Sequence, residues 1–171
     1  METNLMPNTI SALQEMVDRS FKMTAFVDRI QSVLSTKFVC NQVGNLIHHG
    51  IAHKYSGFFG DKIAEILENY NIDVKYGNVP TMNKEYASVS EVIHKLNEEV
   101  INYQNALNMC YKVSFDNMDV HVCSDLIDII TQHNLIVTQT ILLEDKIEVY
   151  GNNIAAYDHD VKDFWILKEA Y

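Results

Sequence analysis

The chain is poor in positive charge: 13 Lys and Arg stand against 23 Asp and Glu in 171 residues, for a formal charge of −10. No two Lys or Arg residues are adjacent, so no basic stripe is available to neutralise phosphates. Nucleic acids and anionic membranes are therefore not expected partners. Cysteine is scarce as well. Cys40, Cys110 and Cys123 are odd in number and far apart, which supplies neither a disulfide framework nor a zinc-type pair and points to a reducing, cytoplasmic setting. No run approaches 18 consecutive apolar residues, and Met1 to Pro7 lacks a basic patch followed by an apolar stretch. Neither a membrane span nor an export signal is expected. A Gly-rich phosphate loop, a nucleophile elbow and a Cys-His pairing signature are also missing.

What the chain does have is four helix-length segments with apolar seams, in a length that can bury a core without disulfides or a structural metal. Segment one, from about Thr9 to Asn41, carries Leu13, Met16, Met23, Val27, Ile30 and Leu34 on one seam. Segment two, starting near Gly44 or Asn45, reads His49, Ala52, Ser56, Phe59, Ile63, Ile66 and Tyr70, with Gly50, Gly57 and Gly60 marking a candidate break near Ser56-Gly57. Segment three has Tyr86, Val89, Ile93, Leu96, Val100, Tyr103, Leu107 and Cys110, spaced by threes and fours. Segment four has Val122, Leu126, Ile129, His133, Ile136, Thr140, Leu143 and Ile147, which puts a histidine in a core position.

The connections set the topology. Asp116 to Asp119 is a tight turn, so segments three and four form an antiparallel hairpin. Ser88 and Glu91 form a capping-box pattern at the start of segment three. Asn71 to Tyr86, rich in Asn, Gly and Pro, is 16 residues long. Extended, such a length spans about 50 Å, while a 30-residue helix is about 45 Å long. The gap therefore predicts a crossover running the length of the bundle, with segments two and three parallel. Gly151 ends segment four, and a short helix around Val161 to Lys168 is expected to dock through Phe164 and Trp165. The whole of residues 1–171 is expected to be one domain, with the bundle at about 9–150 and an extension at 151–171.

Two hairpins joined by one full-length crossover is the ferritin-like arrangement. The stretch Gly60 to Leu67 (GDKIAEIL), with Ile72 to Val74 and Pro80 after it, resembles the end of the second helix in the ferritin, bacterioferritin and Dps-like superfamily. Asp125 to Ile130 (DLIDII) resembles the first half of its fourth helix. The resemblance implies an all-α four-helix bundle that associates into a closed homo-oligomer and handles iron; the acidic surface permits association where apolar patches from Phe58 or Tyr55 are exposed outside the bundle. The family's di-iron centre takes a Glu from each of two helices and a Glu-x-x-His pair from each of the other two. At the matching positions this chain has Ser56 and Phe59 on segment two, and Asn134 and Val137 on segment four, so the standard centre is expected to be missing. A Dps-like interface site would draw instead on His49, His53, Asp61 and Glu65.

Read from the residues themselves, the candidate ligands fall in two groups. His48, His49 and His53 cluster near the start of segment two, and an i, i+4 pair such as His49 and His53 places two imidazoles on one helix face, a spacing suited to a divalent transition metal. Glu144, at the same end of the bundle, is a candidate carboxylate for them. The second group is His133, which faces the core and is expected level with Glu99 to Ile101, so that Glu99 can be its partner. The bland reading of each group is a polar helix end and a satisfied core histidine. Glu91-Val-Ile-His94 is the chain's one Glu-x-x-His, but Ile93 and Leu96 take the seam and turn both residues to solvent. The expected function is binding of iron or another divalent metal at a non-standard site, with ferroxidase-type oxidation or storage of that metal as its activity. The alternative is a metal-free bundle serving as a structural or protein-interaction module.

Overall fold

The computed structural model describes residues 5–168; residues 1–4 and 169–171, the two ends of the expected domain, lie outside the described residues. Helix α1 is Pro7–Thr36. Helix α2 is a continuous rod over residues 41–69, in which α-helical Asn41–Ile47 and Asp61–Asn69 flank π-helical His48–Ala52 and Tyr55–Gly60. Helices α3, Val89–Asp116, and α4, Val120–Tyr150, follow the crossover. A short α5, Ile154–Asp160, continues into a 3-10 turn, Val161–Phe164.

All eight positions of each predicted seam in segments three and four are buried. Segment one ends earlier than expected. Its chain turns at Lys37 to Cys40, with Val39 in the left-handed region (φ +54°) and the Cys40 amide donating to the Leu34 carbonyl at 2.8 Å. The short helix at the C-terminus also lies earlier than expected, because Asn153 caps its start. It is anchored to the bundle by Tyr157, whose hydroxyl donates to the Leu143 carbonyl at 3.0 Å. Asp158 accepts from the Val43 amide at 2.8 Å and so caps the start of α2. Trp165 docks where Gly50 leaves room: a Cβ at Gly50 would stand 2.6 Å from the indole.

The crossover runs the length of the bundle, laced to α1 by side chains in matching order. Gln14 pairs with the backbone of Lys75, and Asp18 accepts from the Gly77 amide at 3.0 Å. Further along, Arg29 donates to the Lys84 carbonyl at 3.3 Å, and Lys37 to the Tyr86 carbonyl at 2.5 Å. Ser88 then accepts from the Glu91 amide at 3.1 Å, and Glu91 reaches back to the Ala87 amide at 2.8 Å. Helices α2 and α3 are thereby parallel. At the other end Thr9 bonds to Asp119 at 2.5 Å and to Asn117 at 2.9 Å, tying the start of α1 to the α3–α4 turn.

Helix α2 departs most from its sequence reading. It does not break at Ser56-Gly57; it widens. Its buried residues include Val43, Ile47, Ile51, Tyr55, Phe59, Ile63 and Leu67, every one four positions from the next. Four residues of an α-helix turn through about 400°, so this series would drift about 40° per step around a regular rod. The i→i+5 turns of a π-helix absorb the drift. Thr24 of α1 holds the wide turn open: its hydroxyl accepts from the Ser56 amide at 3.0 Å and lies 3.3 Å from the Ala52 carbonyl. Those two groups would bond each other in a regular helix. Tyr55 is consequently fully buried, while Ser56 and His49 sit only partly buried beside the seam. Phe58 is half-buried under Lys62, so neither Tyr55 nor Phe58 is the exposed patch expected from sequence.

Exposed apolar residues lie elsewhere, among them Phe115 and Met118 at the α3–α4 turn, and Val120, Ile127, Leu135, Ile141 and Val149 along α4. Helix α4 is long and apolar enough to match a membrane span by composition. Its inner face nonetheless supplies the bundle's core seam.

Thr24→Val keeps shape but removes the acceptor for the Ser56 amide, a loss of about 1–3 kcal/mol. Thermal unfolding should drop by roughly 2–12 °C for a domain of this size, and Thr24→Ser should recover most of it. Equal melting temperatures for wild type and Thr24→Val would show that the hydroxyl does not hold the turn.

Candidate metal centre

The middle of the bundle is where facing helices converge, and each helix contributes there. Ser20 comes from α1, Tyr55 and Phe59 from α2, Tyr103 and Gln104 from α3, and His133 from α4. His133 is fully buried. Its Nδ1 lies 2.6 Å from Gln104 Oε1 and its Nε2 lies 2.9 Å from the Tyr55 hydroxyl. Because an amide oxygen only accepts, Nδ1–H donates to Gln104, and the Tyr55 hydroxyl donates to Nε2. The Tyr103 hydroxyl donates to Ser20 at 2.7 Å, and Ser20 in turn donates to the Met16 carbonyl at 2.7 Å. Every polar atom in this cluster has a partner, and both histidine nitrogens are engaged.

Electrostatics agree with a neutral interior. Burial pushes the His133 imidazole down to about 3. It holds the Tyr55 and Tyr103 phenols above their ordinary range. Among the described residues no Asp or Glu is buried; the buried polar set is Thr9, Ser20, Asn97, Ser114, His133, Gln139 and Thr140. A di-iron centre needs several inward carboxylates, so the residues present do not fit one here.

The expected His133–Glu99 pair does not form. The hairpin register sets Gln104 opposite His133 and Asn97 opposite Thr140 (3.0 Å), and Glu99 pairs with Lys95 at 2.7 Å instead. Glu144 is likewise committed to α3, bonding Asn97 and, at 2.5 Å, Nδ1 of His94. His94 is exposed as expected but not unpartnered, and the Glu144 carboxylate raises its pKa. Asp61 and Glu65 are exposed on the last third of α2, Glu65 beside Asp125 and Asp128 in a shallow groove.

Three histidines do converge. Among the described residues, His48, His49 and His53 form the one set of metal-ligating side chains whose donor atoms all lie within 4.8 Å of one another. His48 and His53 are five residues apart, and the π-helical turn at His48–Ala52 brings them to one face, with ring centroids 4.4 Å apart. The His48 Nδ1–H donates to Asp28 of α1 at 2.9 Å. That fixes the tautomer with a lone pair on Nε2, which accepts from His53 Nε2–H at 3.2 Å. Two imidazole nitrogens sharing a tetrahedral ion at about 2.0–2.1 Å each would stand about 3.3 Å apart. The bonded pair is already at the ligand separation, and a metal would take the place of one proton. The sequence placed His48 beside His49 and His53, but the i, i+4 reading took only His49 and His53 as ligands and left His48 out. The available signal was the four-residue period of α2.

No protein-family description matches the chain by sequence, and no curated protein does. Solved structures match in shape. An open-pore ferritin from the hyperthermophilic archaeon Archaeoglobus fulgidus superposes with a TM-score of 0.84 at 11% identity, over 94% of this chain and 96% of that one. A closed form of the Archaeoglobus fulgidus ferritin, engineered by site-directed mutagenesis, gives 0.86 at 11% identity over 98% and 100%. A humanized archaeal ferritin gives 0.84 at 9% identity over 94% and 97%. At such identities the likeness is one of fold: this chain is a ferritin-like four-helix bundle.

The buried histidine makes a pH prediction. Its folded pKa lies below the unfolded value near 6.5, so the unfolded chain takes up the proton first. The stability it contributes is complete above about pH 6.5 and is lost as pH falls toward 3, amounting to about 2 kcal/mol at pH 5. Urea unfolding at pH 7 and pH 5 should show this loss in wild type and much less of it in His133→Phe. Equal acid sensitivity in both would contradict a neutral, buried imidazole.

Proposed function

We propose that this ferritin-like bundle binds a divalent first-row transition metal at a three-histidine site on its flank, formed by His48, His49 and His53, and not in its interior. The observation that carries the reading is the prepaired geometry of His48 and His53, with Asp28 orienting the first imidazole. A carboxylate behind a ligating histidine both orients the ring and strengthens it as a donor. Three imidazoles leave a fourth position for water or substrate, as in sites that do chemistry. Nitrogen donors of this kind suit zinc, copper, nickel and ferrous iron better than magnesium or calcium. Iron handling draws further support from the fold likeness. Asp61, Glu65 and Glu144 have no part in this site, and His133 with Glu99 forms no second one. A cytoplasmic setting fits the three free cysteines.

The test is metal binding by full-length protein purified without a His-tag, titrated with Zn(II), or with Fe(II) under anaerobic conditions. About one ion per chain is expected. His48→Ala with His53→Ala should weaken binding by at least a hundredfold while far-UV helicity stays unchanged. Asp28→Asn should weaken it about tenfold. Metal affinity indifferent to all three changes would remove the site.

A second reading, an association module, is favoured by the exposed apolar residues of α4. Val120 and Ile127 line one groove with Phe115 from the end of α3, and Leu135 is exposed further along α4; such a surface suits a second copy of the chain, and closed symmetry is the usual outcome of self-association. Sedimentation should find a homo-oligomer that Ile127→Glu with Leu135→Glu dissociates. A wild-type monomer at micromolar concentration would contradict it.

A further inference from the structure

A cavity of about 340 Å³ lies between α1, the crossover and α3. Its lining is unlike the rest of the molecule. Five of the chain's 13 cationic residues, Arg19, Lys22, Arg29, Lys84 and Lys95, line it, with Glu99 as the one carboxylate among the lining residues. In a protein of charge −10 that is a local reversal of sign. Apart from Asn102, the remaining wall is apolar and aromatic: Met23 and Phe26 from α1, Met82 and Tyr86 from the crossover, and Tyr103 at the edge of the core cluster.

Several of these cations have carboxylate partners, among them Glu15, Glu85 and Glu91. Those partners are substantially exposed, and exposed ion pairs are weak and readily exchanged. Two groups remain uncommitted. Lys22 is exposed and has no salt bridge among the described residues. The Arg29 Nε is buried without any hydrogen-bond partner, although the same guanidinium holds Lys84 and Glu85 through Nη2. The Arg29 guanidinium, whose Nη2 partners are a backbone carbonyl and the exposed Glu85, is the cation on this wall best suited to pair with an incoming anionic acceptor. The volume falls at the lower end of the roughly 300–1,000 Å³ typical of small-molecule sites.

We propose that this cavity is a binding site for a small amphipathic organic anion, its carboxylate or phosphate head held by Arg29 and Lys22 and its apolar or aromatic body packed against Phe26, Met82 and Tyr86. The site is separate from the three histidines and does not depend on a metal. The crossover forms one wall, so the segment that fixes the topology also builds the site.

The test uses the full chain and the fluorescent probe 8-anilinonaphthalene-1-sulfonate, an aromatic sulfonate. Saturable binding near one probe per chain is expected. Lys22→Glu should weaken it five- to tenfold, as should Lys84→Glu, while Lys162→Glu, outside the cavity, should leave it unchanged. Lys22 makes no ion pair, so its reversal should not unfold the protein, and far-UV helicity checks this. Displacement by decanoate would identify an acyl carboxylate as the ligand type, and displacement by AMP a nucleotide. Inorganic phosphate at the same concentration should displace neither probe nor competitor. Probe binding that is absent, insensitive to both charge reversals, displaced by neither organic anion, or displaced equally by phosphate would overturn the proposal.

Discussion

Helix α2 must aim a residue at the core every four positions, and a regular α-helix cannot do that over six successive steps. The rest of the structure follows from how this conflict is relieved. Two π-helical stretches, His48–Ala52 and Tyr55–Gly60, unwind the rod enough to keep Val43, Ile47, Ile51, Tyr55, Phe59, Ile63 and Leu67 inward. Glycine makes the stretches sterically cheap where neighbours crowd them: Gly50 against Trp165 and Gly60 against Ser20. Thr24 supplies the hydrogen bonds that the opened backbone loses. The same unwinding delivers Tyr55 to His133 in the core and His48 to His53 on the flank.

The interior then has a definite chemical character. Its polar groups are neutral and mutually satisfied, and the one buried histidine is held by a phenol and an amide. Such a network specifies the core's arrangement without the cost of buried charge. It also leaves nothing there to hold a hard, highly charged metal cluster. What remains for metal chemistry is the flank, where imidazoles are partly exposed and a carboxylate stands behind one of them. The bundle is ferritin-like in fold, while its clustered histidines lie on the flank and its interior holds no carboxylate among the described residues.

Much of the architecture was legible in the sequence. The seams of α3 and α4, the capping box at Ser88 and Glu91, and the length of the 71–86 connection all express local rules, and each held in the structure. What was not legible depended on tertiary contacts. The widening of α2 rests on a threonine from another helix, so a heptad reading put Ser56 on the seam in place of Tyr55 and left His48 off the histidine face. The α3–α4 register differed by about one turn from the expected one, enough to exchange Glu99 for Gln104 as the partner of His133. The C-terminal segment was placed too late because its local cap, Asn153, was passed over, and its anchors, Tyr157 to Leu143 and Asp158 to Val43, are contacts between elements that its own pattern does not show.

The central proposal is that this bundle binds metal at the widened turn of α2 and not in its interior. X-ray absorption spectroscopy on the zinc-loaded protein, joined to anomalous diffraction at the zinc edge, tests it most directly. The account predicts one ion per chain within about 2.0–2.1 Å of imidazole nitrogens, located among His48, His49 and His53, with no density between Tyr55, Tyr103 and His133. An ion in the bundle interior, or a shell dominated by carboxylate oxygen, would contradict it.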